Sequence, residues 1–81
     1  MIRARITVTL KNGVLDPQGV AIGHGLASLG FAGVRSVRQG KIFDIELDGS
    51  DRAKAKADLE AMCRKLLANM VIEDFAVELL P

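Results

Sequence analysis

The stretch KNGVLDPQG, residues 11–19, decides the fold. Asn12-Gly13 is a turn dipeptide, because both residues tolerate positive φ. Asp16 stands at a helix N-cap position, and Pro17 stands at the first helical position, where a missing N–H is harmless. The Asp16 carboxylate is placed to accept the backbone N–H of Gln18 or Gly19. A helix start capped by its own carboxylate is a poor phosphate site, since its free amides are already engaged. An extended segment therefore ends at the turn and a helix begins at Pro17. The stretch is architecture and holds nothing reactive.

Upstream, Ile2, Ala4, Ile6, Val8 and Leu10 alternate with Arg3, Arg5, Thr7 and Thr9. Period two with one polar face predicts a half-buried strand. Downstream, the first helix is expected from Pro17 to about Leu29, with Leu15, Ile22, Leu26 and Leu29 on one inward stripe. Gly19, Gly23 and Gly25 each weaken that helix by roughly 1 kcal/mol relative to Ala, so tertiary packing must hold it. Gly30 ends it, and a second strand is expected over Val34–Gln39. Gly40-Lys41 reads as a tight hairpin turn into a third strand, Ile42–Leu47, with Phe43, Ile45 and Leu47 inward. Ser50 or Asp51 caps a second helix running to about Ala68. Its inward stripe is Ala55, Leu59, Met62, Cys63 and Leu66, and Glu60 and Arg64 form an i,i+4 pair outside it. Phe75, Val77 and Leu79 mark the inward face of a last strand.

The order β-α-β-β-α-β predicts an α+β class: a ferredoxin-like two-layer sandwich, an antiparallel sheet with both helices on one face. All of residues 1–81 form one domain. The first strand then lies between the third and fourth, which sets Arg3 and Arg5 among Asp44, Glu46 and Glu78 on the open face. Cross-strand pairs of this kind contribute about 0.2–1 kcal/mol each.

With 81 residues, a single small core is all the chain can build, and 49% hydrophobic residues exceed what it easily hides. A homodimer or homotetramer is the expected outlet for that surplus. Eleven basic and ten acidic residues nearly cancel and form no run, so neither nucleic acid nor membrane is an expected partner. A single cysteine excludes an internal disulfide and fits a cytoplasmic location. MIRARITV alternates charged and apolar residues, unlike a signal peptide or membrane span.

The residues offer no catalytic set. Gly23-His24-Gly25 lacks dinucleotide spacing and falls inside a helix. Gly33 to Gly40-Lys41-Ile42 has six intervening residues where a P-loop needs four, and lacks its hydroxyl. His24 has no carboxylate or nucleophile placed to partner it. Cys63 falls on a buried stripe and reads as a small hydrophobe. One histidine and one cysteine cannot make a zinc site, and no resident cofactor is expected. Glu73 and Asp74 point to opposite faces of a strand, so they cannot share a substrate. An RNA-recognition sheet needs exposed aromatic rings, whereas Phe43 and Phe75 point inward. Oddly apolar surface is what remains. Val20 and Ala27 flank His24 on the first helix, which favours an interface. The strip Ala57, Ala61 and Ala68 on the second reads as ordinary helix surface.

Three motifs, VTLKNGVLDPQG (8–19), LGFAGVRSVRQGK (29–41) and MCRKLLANMVIEDF (62–75), span nearly the whole chain. In them the sequence resembles the PurS family, the small subunit of phosphoribosylformylglycinamidine synthase in de novo purine biosynthesis. It departs from the family at Met70, where Pro is common, and at Val20 and Gly23, where charge is common. The resemblance implies a non-catalytic subunit of an ATP-dependent glutamine amidotransferase. It would bridge a glutaminase subunit and a synthetase subunit and assist ammonia transfer, with ATP and glutamine used by those partners. Expected partner contacts are Asp16, Pro17, Gln18, Val20, His24 and Ala27, then Arg38, Gly40 and Lys41, and finally Asn69, Glu73 and Asp74. An ACT-like small-ligand regulatory module shares the element order and is the alternative. An acylphosphatase-like enzyme stands behind both, because the Asp16-capped turn offers no phosphate cradle.

Overall fold

A computed structural model describes all residues 1–81. Five regular elements follow in the order β1 (Ile2–Leu10), α1 (Pro17–Ser28), β2 (Gly40–Leu47), α2 (Arg52–Met62) and β3 (Glu73–Leu79), with a π-helical turn at Cys63–Leu67 closing α2. The three strands form an antiparallel sheet in the order β2-β1-β3. The alternation in β1 explains its central place: Ile2, Ala4, Ile6 and Val8 are buried while Arg3, Arg5, Thr7 and Thr9 are exposed. Ile6 pairs with Phe43 on one side and Val77 on the other, so three strands present one apolar face. Leu59 and Cys63 press onto that face and are themselves completely buried. Burying each of Ile6, Val8 and Leu59 contributes about 1.5–3 kcal/mol.

Both helix starts form as the sequence implies. The Asp16 carboxylate accepts the Gly19 N–H at 2.9 Å, and the Asp51 carboxylate accepts the Lys54 N–H at 3.0 Å. Arg5 pairs with Asp44 at 2.9 Å on the open face, as the strand order requires.

The α+β class and the antiparallel sheet stand, with α2 on the inner face, yet the fourth strand and the seat of α1 differ from expectation. Val34–Gln39 joins no ladder, and the sheet has three strands. Gly40-Lys41 makes no turn: both residues belong to β2, opposite Thr9 and Val8. No α1 side chain enters the core cluster, and α1 makes no substantial packing on any strand. The intended inward stripe is accordingly open, with Leu15 and Leu29 71% and 75% exposed and Ile22 exposed too. Together, α1 and residues 34–39 form an arm standing off the sheet, and the molecule measures 49 × 27 × 14 Å.

Three smaller departures come from α2 and its end. Ala68 N–H reaches back five residues to the Cys63 carbonyl at 2.9 Å, which defines the π-turn. This wider turn shifts the helical phase, so Leu66 points outward at 84% exposure while Ala68, expected outside, is buried. Lys54 and Asp58 form the i,i+4 ion pair of α2, at 3.0 Å. Arg64 does not pair with Glu60; its guanidinium lies over the Phe75 ring, 5.7 Å from the centroid.

Candidate partner-docking surface

The arm is fastened at its base by two side chains. Asp16 is buried and accepts a second backbone N–H, that of Gln39, at 2.7 Å. One carboxylate thus ties the start of α1 to the end of the returning segment. Arg38 donates to the carbonyls of Val14 at 2.8 Å, Lys11 at 3.0 Å and Leu10 at 3.3 Å, so the segment also grips the turn after β1. The Gln39 and Gly19 amides, helped by the Arg38 charge, hold the Asp16 carboxyl below the usual carboxylate range. Gly19 is the only buried residue of α1. A Cβ there would run into the Val37 carbonyl, so a side chain would force helix and segment apart.

A groove of about 380 Å³ runs between α1 and residues 34–38, and it gathers Asp16, Val20, His24, Ala27 and Arg38. A second depression of about 240 Å³ at the foot of the arm brings Asp16 and Gln18 beside Gly40, Lys41 and Glu73. Residues far apart in sequence therefore share one end of the molecule. Pro17 lies at the exposed start of α1. Glu73 accepts the Asn69 N–H at 2.7 Å and lies 3.7 Å from Lys41 Nζ, while Lys11 pairs with Asp74 at 2.9 Å. The entrance to β3 is thus pinned to the arm's base through charged side chains.

None of these groups forms a reacting pair. His24 is exposed on the groove wall, and Cys63 is buried, with burial pushing its thiol pKa up. No three His, Cys, Asp or Glu side chains come together in a metal-holding group. No helix is long and apolar enough to cross a membrane. Arg5 holds the Asp44 carboxyl below its ordinary range by a side-chain hydrogen bond, a structural ion pair on the sheet's open face.

The sequence reading missed a third concavity, of about 440 Å³. It lies between Ile45 of β2 and the end of α2, where Ala61, Met62, Leu66 and Leu67 form its apolar wall. The outward turn of Leu66 creates it, and only the π-turn signals that outward turn.

A small α+β domain with a fastened apolar arm, an ion-paired outer face and no reacting pair defines a docking subunit. Comparison with known proteins says of what. Residues 3–81 match the family model described as PurS, phosphoribosylformylglycinamidine (FGAM) synthase. The PurS subunit of Synechocystis is 48% identical over 75 residues, covering 93% of this chain and 75% of that protein. The Bacillus subtilis subunit is 44% identical over 78 residues, covering 96% and 92%. The crystal structure of Methanocaldococcus jannaschii PurS superposes with a TM-score of 0.89 at 40% identity, covering 99% and 96%. A chain of the Thermotoga maritima PurLQS structure gives 0.89 at 29% identity, covering 98% and 96%. The chain belongs to the PurS family, subunits of FGAM synthase in purine biosynthesis. The resemblance seen in residues 8–19, 29–41 and 62–75 is thereby established, and the ACT-like alternative loses its ground.

Proposed function

We propose that this chain is the non-catalytic bridging subunit of an FGAM synthase, working in the cytoplasm between a glutaminase and a synthetase. In this reading it assists transfer of ammonia from one to the other. It carries no cofactor of its own, and ATP and glutamine are handled by the partners. The single observation behind this reading is the arm: a helix of a small domain left off its own sheet, with apolar side chains open to a neighbour. The likeness to the Thermotoga maritima PurLQS chain supports the same assembly. The Asp16-Pro17-Gln18 start of α1, Val20, His24 and Ala27 on the groove wall, Arg38, Gly40 and Lys41 at the arm's base, and Asn69, Glu73 and Asp74 at the β3 entrance supply the contacts. Copies of the chain also associate with one another.

Reconstitution tests the reading. Glutamine-dependent formation of the amidine product by the two large subunits is measured with and without this chain, and again with ammonium salt replacing glutamine. The expected result is a large loss of the glutamine-dependent rate without the chain and a smaller loss with ammonium. Equal glutamine-dependent rates reject the bridging role.

A further inference from the structure

We propose that two copies of this chain exchange arms, so that residues 34–39 of each lie along β2 of the other and its α1 covers the partner's exposed inner face. This deepens the self-association proposed above and is independent of the bridging role. The first argument is the link between arm and sheet. A two-residue hairpin at Gly40-Lys41 needs positive φ at its centre. The positive-φ glycines are Gly13, Gly30 and Gly49, and Gly40 is not among them. Gly40 instead lies in β2 so close to β1 that an added Cβ would sit 2.7 Å from the Val8 carbonyl. The segment before it therefore runs straight on from β2 and cannot fold back along it. A short connection drawn straight is the hinge from which identical elements are exchanged.

The second argument is the vacancy the arm leaves behind. β2 pairs only with β1, so its other edge offers free backbone groups. Phe43, Ile45 and Leu47 on its inner face are only half-buried. The apolar cleft walled by Ile45, Met62 and Leu66 adjoins them. A β-α-β-β-α-β sandwich places its first helix over this side of the sheet and its second strand at this edge. The third argument is that the arm is the matching piece. It carries an unladdered six-residue extended segment beside a helix whose Ile22 and Leu29 are uncovered. A six-residue strand spans about 20 Å and α1 about 18 Å, both within the length of β2. The occupant named by this match is a second copy, because the missing unit is encoded in this chain.

The test uses the full chain and light scattering. Wild type should show twice its 8.7 kDa mass or an even multiple of it. Ile22→Asp alters the arm and Leu66→Asp alters the seat, both at exposed positions that leave the folded chain intact. Each alone should fall to single-chain mass. Mixed one to one, they should regain twice that mass, since the mixture holds one unaltered arm and one unaltered seat. A third variant, with Asn-Gly inserted between Gln39 and Gly40, permits the hairpin in one chain and should be a folded monomer by circular dichroism. Monomeric wild type would refute self-association altogether. A dimer that survives both Leu66→Asp and the insertion would refute exchange alone and point to arms packing on each other. If the aspartate variants unfold, the insertion decides by itself.

Discussion

Leu66→Ala gives the exchange a number. Leu66 is 84% exposed in the single chain, so its whole apolar surface is available to a partner's arm. Burying a leucine contributes about 1.5–3 kcal/mol, of which truncation to alanine forfeits about 1–2. A two-fold assembly contains the site twice, so the loss is about 2–4 kcal/mol per dimer, or about 30- to 700-fold in dissociation constant. Within one chain the same change touches little and should move stability by no more than about 0.5 kcal/mol. Sedimentation equilibrium across a dilution series measures the first quantity, and urea unfolding at a fixed concentration where both proteins are monomeric measures the second. An unchanged dissociation constant would sink the assignment of this cleft as a seat. So would a large fall in monomer stability, which would make Leu66 part of the chain's own core.

Other perturbations probe the fold and the joint. Leu59→Ala empties the centre of the core, where Leu59 is completely buried, and should cost about 2–5 kcal/mol, lowering the melting temperature by at least 10 °C or so at matched concentration. Gly19→Ala drives a methyl into the Val37 carbonyl and should open the arm's base, seen as faster exchange of the Gly19 and Gln39 amide hydrogens with α2 unaffected. The Asp16 carboxyl titrates lower in the folded chain than in the unfolded one, so its hydrogen bonds support the fold above the ordinary carboxylate range and fail as pH falls through the lowered value. Asp16→Asn should therefore destabilise the chain at neutral pH and flatten the decline of the urea midpoint below about pH 4. An unchanged acid limb would show that Asp16 does not govern it.

Local chemistry made much of this molecule legible. The strict alternation from Ile2 to Leu10 marked the central strand, and Asp16-Pro17 and Asp51 marked both helix starts, because those signals depend on neighbours in sequence. The failures share one cause. The stripe Leu15, Ile22, Leu26 and Leu29 announces an apolar face correctly, but periodicity does not say whose surface covers it. Gly40-Lys41 permits a turn without compelling one, and the competing choice, a straight strand, depends on packing far from the dipeptide. Leu66 failed differently, since a phase shift of one residue at a π-turn leaves no mark in the spacing of leucines. The grouping of Asp16 and Gln18 with Lys41 and Glu73 needed the sheet register, which brings the arm's base and the β3 entrance to the same end of β1.

Cys63 is the chain's one thiol and lies wholly beneath the surface, beside Leu59. Burial also keeps it protonated, so a thiol reagent in the solvent finds no nucleophile until α2 lifts from the strands. The rate at which such a reagent is consumed is then a clock for core opening, needing no label and no second cysteine to remove. Timed with and without the companion subunits, that clock reads directly how far assembly slows the breathing of this small protein.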